Sequence, residues 1–294
     1  MIQARNKLSQ EELSEAKKLI KCCQAYDGTY RAPYLSNMLN FDPDMPAFFL
    51  YYEKGELVGL LTVYADDQDV EVTILVHPNH RRQGIARALF TGFERETVSF
   101  PIHSITFQTE RVFLDRYPDF VSNWGLVEHE EIETWLGKDR RPYPLANVSD
   151  LEVLLADCSY QDQISQLKFQ AFSEDHESRE VVDRYVAKAL KDPESLLYIL
   201  LKNGQVIGTC TIDLSTNTNY LYGLAIAEFE RRQGYGSYLA KFLVNKLIEQ
   251  NDKEFQIAVE DSNVGAKRLY EKIGFVKQTQ VVYLNDKGAR DSEV

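Results

Sequence analysis

The sequence has few cysteines and few histidines, and this scarcity excludes two classes of small-protein scaffold. Its four cysteines are Cys22, Cys23, Cys158 and Cys210, and none belongs to a CxxC or Cys/His pattern. We therefore expect neither a disulfide framework nor a structural zinc site. The five histidines form no pair at metal-ligand spacing, so we expect no metal cofactor.

Long hydrophobic runs are also missing. The longest apolar stretches, such as residues 57–64, are far shorter than the ~20 residues that cross a bilayer. The N-terminal residues lack the apolar segment of a signal peptide. We expect a reduced, cytoplasmic protein that does not bind a membrane.

Positive charge is the third scarcity. The chain has 33 Lys and Arg against 45 Asp and Glu, a net charge of −12. A nucleic-acid-binding protein usually carries a basic excess, so we expect no nucleic-acid partner. The length of 294 residues is about twice that of an average domain, and the 44% hydrophobic content is ordinary for a globular protein. Two domains are expected.

An internal repeat supports this division. Residues 80–86 (HRRQGIA) reappear as residues 230–236 (ERRQGYG), and the pair Gly55 and Gly59 reappears as Gly204 and Gly208. One domain design is therefore present twice. We expect domains at residues 1–145 and 146–294, with the proline-bearing stretch 137–150 as their connection.

Apolar periodicity predicts a similar element order in both copies. In the first copy we expect helices at 10–23 and 84–97 and strands at 47–53, 57–65, 70–76, 104–109 and 126–136. In the second we expect helices at 163–172, 179–190, 234–250 and 263–273 and strands at 151–157, 196–202, 206–214, 220–226, 254–259 and 281–284. This order predicts an α/β fold of the α+β type, in which helices flank a mixed, mostly antiparallel sheet.

The repeated segment is suited to an anionic ligand. In each copy an apolar strand ends, a turn with two arginines follows, and a helix begins at Gly-x-Gly or Gly-x-Ala. The first N–H groups of a helix have no intrahelical partner, and the helix dipole is positive at that end. A pyrophosphate fits these donors. The alternative is a solvent-exposed turn without a ligand, but its occurrence twice in one chain favours a binding role.

Residues 231–236 resemble the acetyl-CoA signature Q/R-x-x-G-x-G/A of the GNAT superfamily of N-acyltransferases. Residues 263–275 resemble that superfamily's second signature, N-x-x-A-x-x-L-Y-x-x-x-G-F. The resemblance covers both halves, and it implies two GNAT-like domains in tandem. It also implies acetyl-CoA as co-substrate and a small-molecule or peptide amine as acceptor.

The resemblance further implies a set of cofactor-binding residues. Main-chain groups of Leu224 and Ile226 would hold the pantetheine and the acyl carbonyl, and the amides of residues 233–237 would hold the pyrophosphate. The implied set in the second copy is Leu224, Ile226, Arg231, Arg232, Gln233, Gly234, Tyr235, Gly236, Ser237, Asn263 and Lys267. In the first copy it is Ile74, Val76, Arg81, Arg82, Gln83, Gly84, Ile85 and Ala86.

Tyr270 is the predicted catalytic residue. It lies two helical turns after Asn263, and its phenol stays protonated at neutral pH, so it can donate a proton to the departing thiolate. The alternative is a core aromatic residue. A general base is not identifiable, since Asp213 and Glu228 are candidates by neighbourhood alone and are expected to be solvated or turn carboxylates.

The two copies differ in the second signature. Phe113 and Phe120 stand where the second copy has Asn263 and Tyr270, and Pro118 would break the helix. Unless Tyr117 substitutes by another path, the first copy lacks the acid. We expect the second copy to be the catalyst and the first to be catalytically degenerate, either binding CoA or shaping the acceptor cleft.

Three questions stay open at this point. The chain could be a non-catalytic CoA-binding or scaffold protein with the same fold, or a transferase for longer acyl groups. It could be a monomer or a homodimer. The acceptor is predicted no further than a primary amine.

Overall fold

The computed structural model describes residues 2–145, 148–172 and 178–286. Contacts divide the chain into two compact units. The first unit consists of residues 1–134 together with the segment that begins at Gln278, and the second consists of residues 135–277. None of the described helices is long and apolar enough to cross a membrane.

The first half of the chain alternates strands and helices. Its strands are β1 (Ile2–Arg5), β2 (Phe48–Glu53), β3 (Glu56–Tyr64), β4 (Asp69–Val76), β5 (Ser104–Glu110) and β6 (Leu126–Lys138). Its helices are α1 (Gln10–Asp27), α2 (Ile85–Thr97), α3 (Arg111–Arg116) and α4 (Phe120–Trp124). The predicted capping box at the start of α1 is confirmed. The Ser9 side chain accepts the Glu12 N–H at 3.1 Å, and the Glu12 side chain accepts the Ser9 N–H at 2.8 Å.

The second half follows a related order. Its strands are β7 (Leu151–Leu155), β8 (Ser195–Lys202), β9 (Gln205–Asp213), β10 (Asn219–Ile226), β11 (Phe255–Glu260) and β12 (Val276–Asp286). Its helices are α5 (Gln161–Phe172), α6 (Arg179–Ala189), α7 (Tyr235–Ile248) and α8 (Val264–Lys272). Every predicted strand and helix is present, with shifts of a few residues at the ends.

The sheet of the first unit is mixed and mostly antiparallel, as predicted. Strands β1 to β4 pair antiparallel in sequence order, whereas β4 and β5 pair in parallel from Asp69–Ser104 to Val72–Phe107. Beyond Val72 the two parallel strands have no further paired residues. This separation leaves an opening between the ends of β4 and β5.

The second unit repeats this arrangement. Strands β7 to β10 pair antiparallel, and β10 pairs in parallel with β11 only from Asn219–Phe255 to Leu221–Ile257. The turn between β2 and β3 matches the turn between β8 and β9, because Lys54 and Asn203 both have positive φ, 50° and 49°. This geometry is typical of tight hairpin turns.

The last described strand, β12, lies mainly in the first unit, which resumes at Gln278. Strand β12 pairs antiparallel with β5, from Val281–Glu110 to Asn285–Thr106. Val281, Val282 and Leu284 are fully buried. The pairing supplies hydrogen bonds to an edge of β5 that would otherwise be open.

Helices cover the sheet of the first unit from two faces. Leu60 of β3 belongs to the apolar cluster under α1, and its neighbour Leu61 belongs to the cluster under α2. This alternation follows from the two-residue period of a strand. In the second unit the main core lies under α7, which buries Leu239, Leu243 and other apolar side chains.

Candidate active site

The turn that precedes the motif helix has the same backbone in both units. Arg82 and Arg232 have positive φ, 63° and 62°, and Gly84 and Gly234 follow with φ of 80° and 91°. Positive φ is uncommon for a residue other than glycine. The repeated sequence therefore builds the same unusual turn twice.

Each turn presents a helix N-terminus. Gly84 is the N-cap of α2 and Gly234 is the N-cap of α7, and in the described part of the chain no side chain caps either helix. The first-turn N–H groups therefore remain available as donors, at the positive end of the helix dipole. This observation fits the pyrophosphate of CoA.

A cavity of about 580 Å³ opens in the first unit beside this turn. The separated ends of β4 and β5 form two of its walls, through Thr73 to Val76 and Phe107 to Glu110. Of the eight predicted residues, only Gln83 is outside its lining. The seven that line it are Ile74, Val76, Arg81, Arg82, Gly84, Ile85 and Ala86. This volume is within the range of small-ligand pockets.

Arg81 is held inside the first unit by a buried acid. Its guanidinium donates to both carboxylate oxygens of Asp27, at 2.8 and 2.5 Å, and its Nε donates to the Val76 carbonyl at 3.0 Å. The Tyr117 hydroxyl lies 3.3 Å from Arg81 Nη1. The carboxylate of Asp27 raises the pKa of Arg81. No motif or spacing in the sequence predicted Asp27 as the partner of Arg81.

The strand ahead of the motif differs between the units. In the first unit β3 and β4 pair in continuous register from Gly59–Val76 to Tyr64–Glu71. In the second unit the register of β9 and β10 shifts between Tyr222 and Ala225, where Gly223 has a φ of 58°. The bulge contains Leu224, one of the two residues whose main-chain groups are predicted to hold the pantetheine and the acyl carbonyl.

Three predicted elements of the second unit meet at Gly236. A Cβ built on this glycine would lie 3.1 Å from Leu269, 3.6 Å from Ile226 and 3.7 Å from Leu224. The start of α7 therefore lies close to β10 and α8, and a Cβ at this position would be tight only against the end of the Leu269 side chain. The contact brings Leu224 and Ile226 together with the helix that carries Tyr270.

The turn residues of the second unit are exposed and only loosely engaged. Arg231 donates through Nε to the Ile226 carbonyl at 3.1 Å, and over the described residues it forms no ion pair. Gln233 donates to Glu230 at 2.9 Å. Arg232 is exposed as well, whereas Tyr235 and Ser237 are half-buried at the start of α7. Arg231 thus has no acidic partner among the described residues, whereas Arg81 is paired with Asp27.

The side chains at the start of α8 already have partners. The side-chain oxygen of Asn263 accepts the Ala266 N–H at 3.1 Å and so caps the helix. Lys267 forms an ion pair with Asp261 at 3.1 Å. Their predicted contacts with the cofactor stay predictions.

Tyr270 lies in the core of the second unit. It is 5% exposed, and its ring centroid lies 6.3 Å from that of Phe275. Burial raises the pKa of its phenol well above the ordinary value of 10.0. The phenol therefore holds its proton at neutral pH.

In the corresponding segment of the first unit, Phe120 stands in place of Tyr270, and the hydroxyl of Tyr117 lies at a different position. Helix α3 ends at Arg116, Pro118 follows, and α4 begins at Phe120, so the predicted helix break is confirmed. Phe113 and Phe120 pack edge to face, 5.2 Å apart. Phe120 and Tyr117 both line the cavity.

Buried carboxyl groups were missed or misjudged from the sequence. Asp213 is buried, not solvated, and burial raises its pKa to about 6, although Ser215 donates to it at 2.8 and 3.0 Å. Glu228 is exposed, as expected. Glu71, which accepts a hydrogen bond from Gln108, has its pKa raised to about 7 by burial. Polarity alone does not reveal such burial.

The model of the acetyltransferase (GNAT) family matches residues 13–114 and 161–275. The chain belongs to the GNAT acetyltransferase family. The two matches also confirm that the family's domain is present twice.

Individual GNAT relatives agree with this assignment. A mycothiol acetyltransferase from Clavibacter sepedonicus is 26% identical over 230 residues, which cover 74% of this chain and 73% of the relative. A solved GCN5-related N-acetyltransferase from Sphaerobacter thermophilus has a TM-score of 0.69 at 16% identity, covering 97% of this chain and 94% of its own. A tandem GNAT protein from the clavulanic acid biosynthesis pathway has a TM-score of 0.67 at 16% identity, covering 97% of both chains.

Family membership supports acyl-CoA N-acyltransferase activity on a small-molecule or peptide acceptor. It also implies an acyl-CoA co-substrate. Within the described residues, no group of three or more His, Cys, Asp and Glu is arranged to hold a metal ion.

Proposed function

We propose that the second unit transfers an acetyl group from acetyl-CoA to a primary amine. Three features of this unit together support the proposal: the uncapped helix after the arginine turn, the bulge in β10, and the phenol of Tyr270 on α8. The first unit shares the turn but has Phe120 in place of the phenol.

The reaction needs few groups from the protein. The neutral amine of the acceptor attacks the thioester carbonyl, the C–S bond breaks, and the CoA thiolate leaves. Tyr270 donates its proton to that thiolate, and its high pKa ensures that the proton is present at neutral pH. No carboxylate is assigned as the base, so the amine loses its proton to solvent, and solvent then returns a proton to the Tyr270 phenolate.

The cofactor is held by backbone and charge. The amides of residues 233–237 bind the pyrophosphate, and Arg231 and Arg232 add positive charge. Main-chain groups of Leu224 and Ile226, next to the bulge, hold the pantetheine and the acyl carbonyl. Asn263 and Lys267 line the cofactor arm, which requires their present partners to be exchanged for the ligand.

The first unit binds acyl-CoA without turning it over. Its cavity brings together seven of the eight residues predicted to bind the cofactor. Phe120 replaces the phenol of the second unit, and β4 pairs with β3 without a bulge. Both features are consistent with a unit that binds acyl-CoA and does not catalyse transfer.

The test is the release of CoA from acetyl-CoA in the presence of a panel of primary amines, with products identified by mass. We expect amine-dependent release with acetyl-CoA and at least tenfold slower release with octanoyl-CoA. Binding of acetyl-CoA without amine-dependent release would identify a non-catalytic CoA-binding protein. Faster release with octanoyl-CoA would show that the acyl group is a longer one.

A further inference from the structure

A buried lysine lies beside the bulge in the second unit. Lys168 of α5 is 5% exposed, and its Nζ lies 3.4 Å from the hydroxyl oxygen of Thr211 on β9. Thr211 faces away from the core under α7, because its neighbour Cys210 belongs to that core and strand side chains alternate. The ammonium therefore lies on the opposite face of the sheet from α7.

Gly223 fixes the depth of this ammonium. A Cβ built on Gly223 would collide with Lys168 Nζ. The glycine in the bulge therefore leaves room for the ammonium beside the main chain of β10. Lys168 thus lies one residue from Leu224, at the place where β10 separates from both neighbouring strands.

The ammonium has no acidic partner among the described residues, whose ion pairs do not include Lys168. Its other neighbours are the rings of Phe172 and Tyr185, whose centroids lie 5.9 and 5.6 Å from Nζ. Burial lowers the pKa of Lys168 to about 8. A buried cation without a counter-charge is costly, and aromatic rings offset only part of that cost.

A ligand carboxylate would supply a counter-charge that the described residues do not provide. Phe172 is 50% exposed, so the ammonium lies only one side chain away from solvent. An ammonium and a carboxylate form a strong, charge-assisted hydrogen bond in a site of low dielectric constant. The acyl group is expected beside Leu224, so an acceptor with its amine at that carbonyl would have its other substituents near Lys168.

We infer that the acceptor of the second unit is an amino acid, a molecule that carries both a primary amine and a carboxylate, and that Lys168 binds this carboxylate. The inference rests on the proposed function, because it places the acceptor at the acyl site. Lys168 then determines acceptor specificity. Its ammonium favours acids over the corresponding amides and does not itself accept the acetyl group.

The test is calorimetric binding of product analogues in the presence of CoA. N-acetylalanine and N-acetylphenylalanine are compared with N-acetylalaninamide and N-acetylphenylalaninamide, in which a neutral carboxamide of nearly the same size replaces the carboxylate. We expect the unmodified protein to bind at least one acid about 30-fold more tightly than its amide, the preference typical of a buried charge pair. Lys168→Met and Lys168→Gln should remove this preference and leave amide binding unchanged.

Matched controls separate charge from folding. Lys18→Met removes an exposed lysine on α1 and should keep the preference for acids. Thermal melting of each variant verifies that the second unit is folded. Two independent replacements of Lys168 guard against a failure of one of them to fold.

Three results would overturn the inference: equal binding of acids and amides, no binding of either, or an acid preference that survives in both Lys168 variants. Acetylation of Lys168 itself on incubation with acetyl-CoA would also overturn it, since the lysine would then be an acceptor. Lys168-dependent acid binding without any acetyl transfer would refute the proposed function alone.

Discussion

Tyr270 is the residue on which the proposed chemistry depends. Tyr270→Phe removes only the hydroxyl, and the ring still fills its place beside Phe275. We expect kcat to fall about 100-fold, the scale of a lost general acid, with little change in the KM for acetyl-CoA. Steady-state kinetics measure both constants. Tyr238→Phe, the same change on α7 beside Phe242, is the control and should keep full activity.

The pH profile gives a second readout of the same residue. The pKa of Tyr270 is raised, so its protonated form is fully present below the ordinary pKa of 10.0 and is lost only above the raised value. The rate should therefore show no loss of a phenolic acid between pH 7 and 10. A decline of kcat in that range that disappears in Tyr270→Phe would contradict the assigned role.

At the scale of single residues, the sequence predicted groups whose role is local. The arginine turns and their glycines could be found because the backbone geometry depends on adjacent residues. Asp27 and Lys168 could not, because their roles arise from contacts with β-strands and turns far along the chain. Burial of Asp213 was missed for the same reason.

At the scale of elements, Gly59 marks a close approach between β3 and α2. A Cβ on Gly59 would lie 2.7 Å from Ile85 and 3.0 Å from Leu89. We expect Gly59→Ala to lower the free energy of unfolding of the first unit by about 1–3 kcal/mol, because the helix must shift. Chemical denaturation, followed by a probe in that unit, measures the change.

Gly92 provides the opposite case on the same helix. A Cβ there would lie 3.6 Å from Ile2, which is ordinary van der Waals contact. Gly92→Ala should therefore stabilise the unit by up to about 1 kcal/mol through helix propensity. Equal effects of the two alanines would show that the packing of α2 on β3 is not as described.

The long elements were predictable and three short ones were not. Periodicity found every helix and strand of seven residues or more. It also found the short strands β2, β7 and β11, of six, five and six residues, but it missed β1, α3 and α4, of four, six and five residues. The break at Pro118 was predictable, since proline cannot continue a helix.

At the scale of the whole molecule, the last described strand, β12, extends the sheet of the first unit by pairing with β5. A chain that ends at Lys277 loses the partner of β5 and the buried side chains Val281, Val282 and Leu284. We expect faster amide hydrogen exchange in β5 and a lower melting temperature of the first unit. A chain ending at Asp286 controls for length. Unchanged protection of β5 would contradict the pairing.

This long-range pairing also explains why the domain boundary was hard to predict. The sequence repeat is linear and predicts a division in the middle of the chain. Strand pairing is non-local, and no pattern within β12 indicates which strand it will join. The family match to both halves, by contrast, was predictable from the two signatures.

The central claim is that two units bind acetyl-CoA and one of them uses it. Titration calorimetry of acetyl-CoA into the unmodified protein and Arg231→Glu, with turnover measured on the same samples, tests it most directly. We expect the unmodified protein to bind two molecules of acetyl-CoA. We expect Arg231→Glu to bind one molecule and to lose turnover. An Arg231→Glu variant that lost a site and kept full turnover would contradict the assignment of catalysis to the second unit.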